Sequence, residues 1–439
     1  MRLGLLLLLL MANPIKAQDL LYGSSSIPEV NQPLSVPLEK LNSEKHHTGA
    51  NYRSEGQIRV KIFPHTLKND YLHGSRDIKT EVKLRGKGIE LNGNKYQRLD
   101  LKLVRGKILV KSPRHQEILS SFEFTTKTPV QVLRKNNEDK SHSYIGNMKI
   151  LVYDGGIMII NTLDLETYLR GVVPKESVYT WPIEALKAQA LSARSYAYYH
   201  VKTSTRTYFD VDDTARFQVF AGISAAESST DQAIKETKGE VLTHEGKVIT
   251  AFFHAYSGGR TDSAENIFGR AVDYCLGSDE IFSREELRAE LPERSHWIIE
   301  WTTDPLSKKE LLNIFKNSDQ TTRTVTGLNQ SRDFDIQEHE INPLFNSVRT
   351  LRLDQRDKTA DINFVKVRSA IGWSEFPAYH FRLDQNSSSA VTFKGHGWGH
   401  HVGMSQWGAM MMAKNYAKNY REILEHYYHD VKIENLADL

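Results

Sequence analysis

The sequence predicts an α+β protein with a strand-rich N-terminal region and a mixed α/β core. Three patterns point to it. Over residues 57–160 apolar residues alternate in short runs, as in Gln57-Ile58-Arg59-Val60-Lys61-Ile62, Asp100-Leu101-Lys102-Leu103 and Lys107-Ile108-Leu109-Val110, with glycine-containing turns between them. After Trp181 the period becomes helical, with Ile183, Leu186, Ala190, Ala193 and Ala197 on one face. Short strands return over 348–353 and 361–367, ahead of a segment rich in glycine and histidine that leads into a last helix.

Composition narrows the function classes. A chain of 439 residues with 39% hydrophobic residues buries a large core, enough for two or three domains or one elaborated one. Its 57 basic and 54 acidic residues leave a formal charge of +3, which provides no field for binding nucleic acid. Cys275 is the only cysteine, so no intrachain disulfide forms and stability rests on packing.

Taken in order, the elements begin with an export signal. Arg2 is a minimal positive region, residues 3–12 are apolar, and Ala17 is a small residue suited to a cleavage site. Residues 1–17 are therefore expected to be a signal peptide, and the protein to act in a periplasm, the cell wall or the extracellular space. About ten apolar residues fall short of the roughly 20 that a membrane-spanning helix needs, so no membrane span is expected. Residues 18–54 carry Gly23, a serine run and Pro28, Pro33 and Pro37, and predict a flexible leader. Residues 55–160 form the strand-rich part, ending in a hairpin that turns at Asp154-Gly155-Gly156. Residues 161–278 form the candidate core, where Thr180 is the expected cap of the helix after Trp181 and Pro182 lies in its first turn. Another helix is expected over 228–237, then a hairpin around Glu245-Gly246. Residues 279–346 are a charged elaboration with a helix over 307–315, and 347–435 hold the last strands, the glycine, histidine and tryptophan motif and its helix.

The most informative stretch is Tyr168 to His200. It places one carboxylate, Glu176, in a short loop between Val172-Val173 and Trp181. Apolar neighbours desolvate a carboxylate and keep it protonated nearer neutral pH, as a general acid requires. A lone loop glutamate is more often simply solvated, but placement between a strand and a helix favours a functional role.

The second constellation runs from Lys394 to Gln406. Gly395, Gly397, Gly399 and Gly403 allow positive φ and close approach, while Trp398 and Trp407 offer flat faces for stacking on sugar rings. Together with the Glu176 stretch they are expected to form a substrate groove. Ser405 sits where a helix N-cap belongs, ahead of Gln406, and reads as a cap rather than a nucleophile. His396, His400 and His401 invite a zinc reading, but their spacing lacks the fixed i, i+4 geometry of a helical metal site and no carboxylate lies within the segment. Hydrogen bonding or substrate positioning fits them better, and no metal or other cofactor is expected. His254 and Cys275 would supply only two further ligands. Ser257-Gly258-Gly259-Arg260-Thr261 lacks the strand-to-helix context of an acyl-transfer nucleophile and reads as a tight turn, with Arg260 or Thr261 free to touch a ligand.

In their order along the chain, these pieces resemble the SpoIID/LytB family, named for sporulation stage II protein D and an amidase enhancer. The resemblance is carried by residues 165–176 (LETYLRGVVPKE), 181–190 (WPIEALKAQA), 193–197 (ARSYA), 218–222 (QVFAG), 257–261 (SGGRT) and 397–409 (GWGHHVGMSQWGA), and it is faint over 279–348. It implies a SpoIID-like fold and an exported protein acting on peptidoglycan as a lytic transglycosylase, best known on glycan strands stripped of their stem peptides. It places the catalytic glutamate on Glu176. Lys187, Gln189, Arg194, Gln218, Ser257, His400 and Ser405 are implied to lie in or near the substrate groove, beside the candidates Arg260, Trp398 and Gln406. The alternative that the family implies is a non-catalytic peptidoglycan-binding enhancer of a cell-wall amidase, which would then be a partner. Some members resemble zinc proteins with ligands from one histidine and two cysteines, whereas this chain has Cys275 alone. Phe268 stands where the family has tryptophan, and the loop over 269–278 matches poorly.

Overall fold

The computed structural model describes residues 56–62, 80–134, 137–329, 333–373 and 375–439. The expected signal peptide and leader lie outside these residues. The chain divides into two compact units, one running to Ala251 and completed by Lys432–Leu439, the other spanning Phe252–Val431. The α+β expectation holds, since both kinds of element are abundant. Among the described residues no helix is long and apolar enough to cross a membrane.

The first unit is built on nine strands: β1 (Gln57–Ile62), β2 (Glu81–Leu91), β3 (Asn94–Val104), β4 (Lys107–Ser112), β5 (His115–Leu119), β6 (Ser121–Arg134), β7 (Asn137–Tyr153), β8 (Gly156–Asp164) and β9 (Val211–Asp212). They lie in the order β5-β4-β3-β2-β6-β7-β8-β1-β9. Neighbours are antiparallel except β1 and β9, which run parallel. Alternation sets the register of β1, where Ile58, Val60 and Ile62 are buried and the residues between them are not. Strand β8 differs, because Ile157, Met158, Ile159 and Ile160 are buried in succession, the mark of a strand covered on both faces. The turn before it has Asp154 at φ 48° and Gly155 at φ 74°, the type I′ geometry whose twist matches the strands it joins.

Asp164 ends β8 and caps helix α1 (Leu165–Glu176), its carboxylate accepting the Thr167 N–H at 2.9 Å. Pro174 lies inside that helix, which ends two residues later with the Ser177 N–H donating to the Val173 carbonyl at 3.0 Å. Helix α2 (Ile183–Thr203) begins after Pro182, which caps it with no side-chain bond, so the expected Thr180 cap is corrected. Proline needs no N–H partner and its fixed φ already suits a helix start. Small residues along α2, among them Ala185, Ala188, Ala190, Ala193 and Ala197, are almost fully buried. Helix α3 (Ser228–Glu236) follows, and strand β10 (Glu240–His244) pairs with Lys247–Val248 and with the returning strand Lys432–Asn435.

In the second unit, strand Ala390–His396 is flanked by Glu300–Thr302, Leu306–Ser307 and Phe381–Asn386. A three-stranded sheet joins Asp335–Asn342, Ser347–Gln355 and Lys358–Asn363. The expected strand over 361–367 stops early, because the Asn363 side chain accepts the Val365 N–H and caps the helix Phe364–Ile371. The helix expected over 307–315 is Lys308–Asn317, capped by Ser307.

Candidate active site

Glu176 is the last residue of α1, which corrects the loop expected for it. The misreading has a physical cause, since proline normally ends a helix at the residue before it. The carboxylate is 2% exposed, and Leu169, Val172 and Val173 of the same helix are wholly buried. Burial pushes Glu176 up to about 8, opposed by the Val219 N–H that donates to its Oε1 at 2.7 Å. Desolvation outweighs that bond, so the group is mostly protonated at neutral pH.

Local sequence brings Val219 there. Gly171 on α1 has no side chain, and a Cβ at that position would lie 2.5 Å from the Phe220 ring. That gap lets the segment 218–222 lie against the helix, where the Ala221 N–H donates to the Gly171 carbonyl at 3.1 Å. Gln218 is buried, accepting from the Tyr168 hydroxyl at 3.2 Å and donating to the Ala193 carbonyl at 3.3 Å. The Tyr168 phenol is held well above its ordinary value by burial and by the charges of Glu176, Asp212 and Asp213. The buried aspartates on and beside β9 are the carboxylates that reading Glu176 in isolation missed. Their proximity comes from the pairing of β9 with β1, which nothing in the local sequence announces. Asp212 is raised by burial, while its Oδ1 accepts from the Thr214 N–H at 3.0 Å and hydroxyl at 2.5 Å.

Other residues proposed from the sequence carry structural partners within the first unit. Arg194 is fully buried, its guanidinium bound to both Glu166 oxygens at 2.9 Å and to the Glu240 carbonyl at 3.0 Å. Its role is therefore to bind Glu166 and the Glu240 backbone. Lys187 pairs with Glu184 and Glu236, each at 2.8 Å. Gln189 is buried on α2.

In the second unit, Ser257 donates to Glu280 at 2.5 Å, and the Gly259 N–H donates back to the Ser257 hydroxyl at 3.2 Å. Glu280 also accepts from the Tyr427 hydroxyl at 2.6 Å, and burial raises it against the hydroxyls of Ser257, Tyr427 and Ser405. Ser405 caps the helix Gln406–Asn415 by accepting the Gly408 N–H at 3.2 Å, as its position in the sequence predicts. Gln406 is buried on the same helix. Arg260 pairs with Asp279 at 2.6 Å. Trp398 and Trp407 are both buried, with Trp297 packed edge-on against Trp398 at 4.4 Å, so neither offers the open stacking face expected of it. Gly397, Gly399 and Gly403 do take positive φ, whereas Gly395 serves close packing, since a Cβ there would meet Trp301 at 2.3 Å.

His254, His400 and His401 are buried, and burial lowers all three, while His396 is only partly buried. His254 falls to about 3 by burial, and its Nδ1 lies 3.2 Å from the Val402 carbonyl, which can only accept, so that nitrogen carries the proton. His400 accepts the Val402 N–H on Nδ1 at 3.0 Å. A zinc site of one histidine and two cysteines does not fit: Cys275 is a lone buried thiol, and among the described residues no three side chains of the metal-binding types are arranged to hold an ion.

Comparison with known proteins agrees with the sequence motifs. The profile of the stage II sporulation protein family, SpoIID, matches residues 153–244, which contain α1, α2 and Glu176. An uncharacterized protein of Brachyspira hyodysenteriae is 35% identical over 291 residues, 66% of this chain and 72% of that protein. The amidase enhancer of Bacillus subtilis is 28% identical over 285 residues, covering 59% of this chain but 39% of the enhancer. Stage II sporulation protein D of Bacillus amyloliquefaciens is 27% identical over 302 residues, 65% of this chain and 78% of that protein. With the motifs in family order and these relatives on either side, the chain belongs to the SpoIID/LytB family.

Proposed function

We propose that this protein is an exported peptidoglycan lytic transglycosylase with Glu176 as its general acid and base. The observation that carries the reading is the buried carboxyl of Glu176, raised to about 8 by desolvation and held at one oxygen by the Val219 N–H. A carboxylic acid in that state has a proton to give at neutral pH. It would donate to the bridging oxygen of the β-1,4 bond between N-acetylmuramic acid and N-acetylglucosamine. The bond from C1 to that oxygen then breaks as positive charge develops at C1. The resulting carboxylate takes the proton of the C6 hydroxyl on the muramic acid, and O6 closes on C1 to give a 1,6-anhydro end. No water is consumed, and no second carboxylate is needed as nucleophile. The apolar run at residues 3–12 behind Arg2 supports export to a periplasm, cell wall or extracellular space.

A second reading is favoured by the name of the Bacillus subtilis relative, an amidase enhancer. Under it the protein binds wall glycan without cutting and stimulates a separate cell-wall amidase. One digestion separates the two. Purified glycan strands, peptide-bearing and denuded, are incubated with the protein, and soluble products are weighed by mass spectrometry. Transglycosylation gives fragments one water lighter than hydrolysis would. Binding to insoluble wall with no soluble product on either strand supports the enhancer and rejects the enzyme.

A further inference from the structure

Gln218 has a place in the motif 218–222 but no obvious chemistry, and its contacts define what it does. Its amide orientation is fixed by its partners. The Ala193 carbonyl can only accept, so it must face Nε2, and Oε1 is left to take the Tyr168 hydroxyl. Both ends of the amide are thereby tied to the helices that flank it, Tyr168 on α1 and Ala193 on α2. The residue is 1% exposed, so these are bonds made away from water. The next residue in the chain, Val219, gives its N–H to Glu176 Oε1 at 2.7 Å. The Val219 N–H belongs to the peptide plane that starts at the Gln218 Cα, so anchoring the Gln218 side chain at both ends restrains that Cα and the plane attached to it.

Resting on the reading of Glu176 as the acid, we infer that Gln218 is a positioning residue that holds the Val219 N–H on Glu176 Oε1. The chemistry follows from what a carboxylic acid offers. Its carbonyl-type oxygen accepts hydrogen bonds well and its hydroxyl oxygen poorly, so an N–H fixed on Oε1 favours the tautomer protonated on Oε2. Gln218 acts on the acid through the backbone, not on the sugar.

Two variants test it. Gln218→Met keeps the volume and loses both hydrogen bonds, while Tyr168→Phe removes one hydroxyl and keeps the ring. The first readout is the titration of the Glu176 carboxyl by NMR in protein labelled with ¹³C-glutamate, assigned by the signal missing in Glu176→Gln. Because the Val219 N–H stabilises the ionised form, loosening it moves the midpoint upward, by about one pH unit in Gln218→Met and by less in Tyr168→Phe. The second readout is kinetic: kcat falls about tenfold with KM within about twofold, the mark of a misplaced acid. An unmoved midpoint in both variants overturns the inference, as does a raised KM with kcat kept, which would make Gln218 a sugar contact. Should Gln218→Met fail to fold, Tyr168→Phe decides alone. The titration needs no substrate, so a wild-type protein that releases no anhydro ends removes the transglycosylase reading and still leaves the positioning role to be decided by the midpoint.

Discussion

Two glutamates raised by burial, one in each unit, show how different surroundings separate carboxyls that share that shift. Glu176 is pushed up to about 8, and the bond that favours its charged form comes from a backbone N–H, that of Val219. Glu280 is raised by burial as well, but three hydroxyls oppose the shift: Ser257, Tyr427 and Ser405. Those hydroxyls belong to the Ser-Gly-Gly turn, to helix Tyr420–Tyr427 and to the cap of helix Gln406–Asn415, so Glu280 ties three pieces of its unit together. Gly408 completes the arrangement, since a Cβ there would lie 2.5 Å from Glu280 and 1.9 Å from the Tyr427 hydroxyl. Burial alone therefore does not mark an acid catalyst; what surrounds the carboxylate does. A carboxylate fixed by hydroxyls from several elements is a fastening, and one raised by apolar walls has the protonation state that the proposed acid role requires.

The comparison breaks first at Glu176. Glu176→Gln is expected to lower cleavage by about 10²- to 10⁴-fold, the usual contribution of a positioned acid. The same substitution acts oppositely on stability. The folded-state value lies above the ordinary one, so the contribution of this group is fully present below about 4.5 and is lost as pH rises toward about 8, at about 1.4 kcal/mol per pH unit. Denaturant unfolding as a function of pH should therefore show a falling slope in the wild type over that window and a flatter one in Glu176→Gln. An equal slope in both would mean that Glu176 is not buried as an acid.

Arg194 comes next, as the control for a buried charge with no part in proton transfer. Arg194→Met leaves Glu166 without its guanidinium partner and should cost about 3–5 kcal/mol by chemical denaturation. Below that stands the fastening itself. Glu280→Gln is expected to cost about 1–3 kcal/mol, and Tyr427→Phe about 1 kcal/mol, both read as shifts in denaturation midpoint. Neither should move the pH dependence of cleavage, whose falling limb belongs to Glu176 near 8. A shift of that limb in Glu280→Gln would erase the distinction between the two carboxylates. The smallest effect is expected at the cap, where Ser405→Ala loses about 1 kcal/mol through the Gly408 N–H and the bond to Glu280.

Local physics made part of this legible in the sequence. Strand β1 follows from its alternation, the two-residue turns from Asp154-Gly155 and Glu245-Gly246, and the Ser405 cap from its place before a helical run. Glu176 stood out because its apolar neighbours are adjacent in the chain. What the sequence hid depends on distant pairing. Glu166 meets Arg194 across 28 positions, Val219 meets Glu176 across 43, and the aspartates of the β9 region approach through a strand pairing between residues 151 positions apart. Trp398 and Trp407 misled for the opposite reason, since a flat aromatic face in a glycine-rich segment looks the same whether it faces sugar or core.

The central claim is that one buried acid cuts glycan without water, and a paired digestion tests it most directly. Wild-type protein and Glu176→Gln, shown to be equally folded, are incubated with denuded glycan strands at neutral pH, and 1,6-anhydromuramic ends are counted by mass spectrometry. The account predicts anhydro ends with the wild type and at least a hundredfold fewer, roughly, with the variant. Anhydro ends in equal number from both proteins, or none from the wild type, would contradict it.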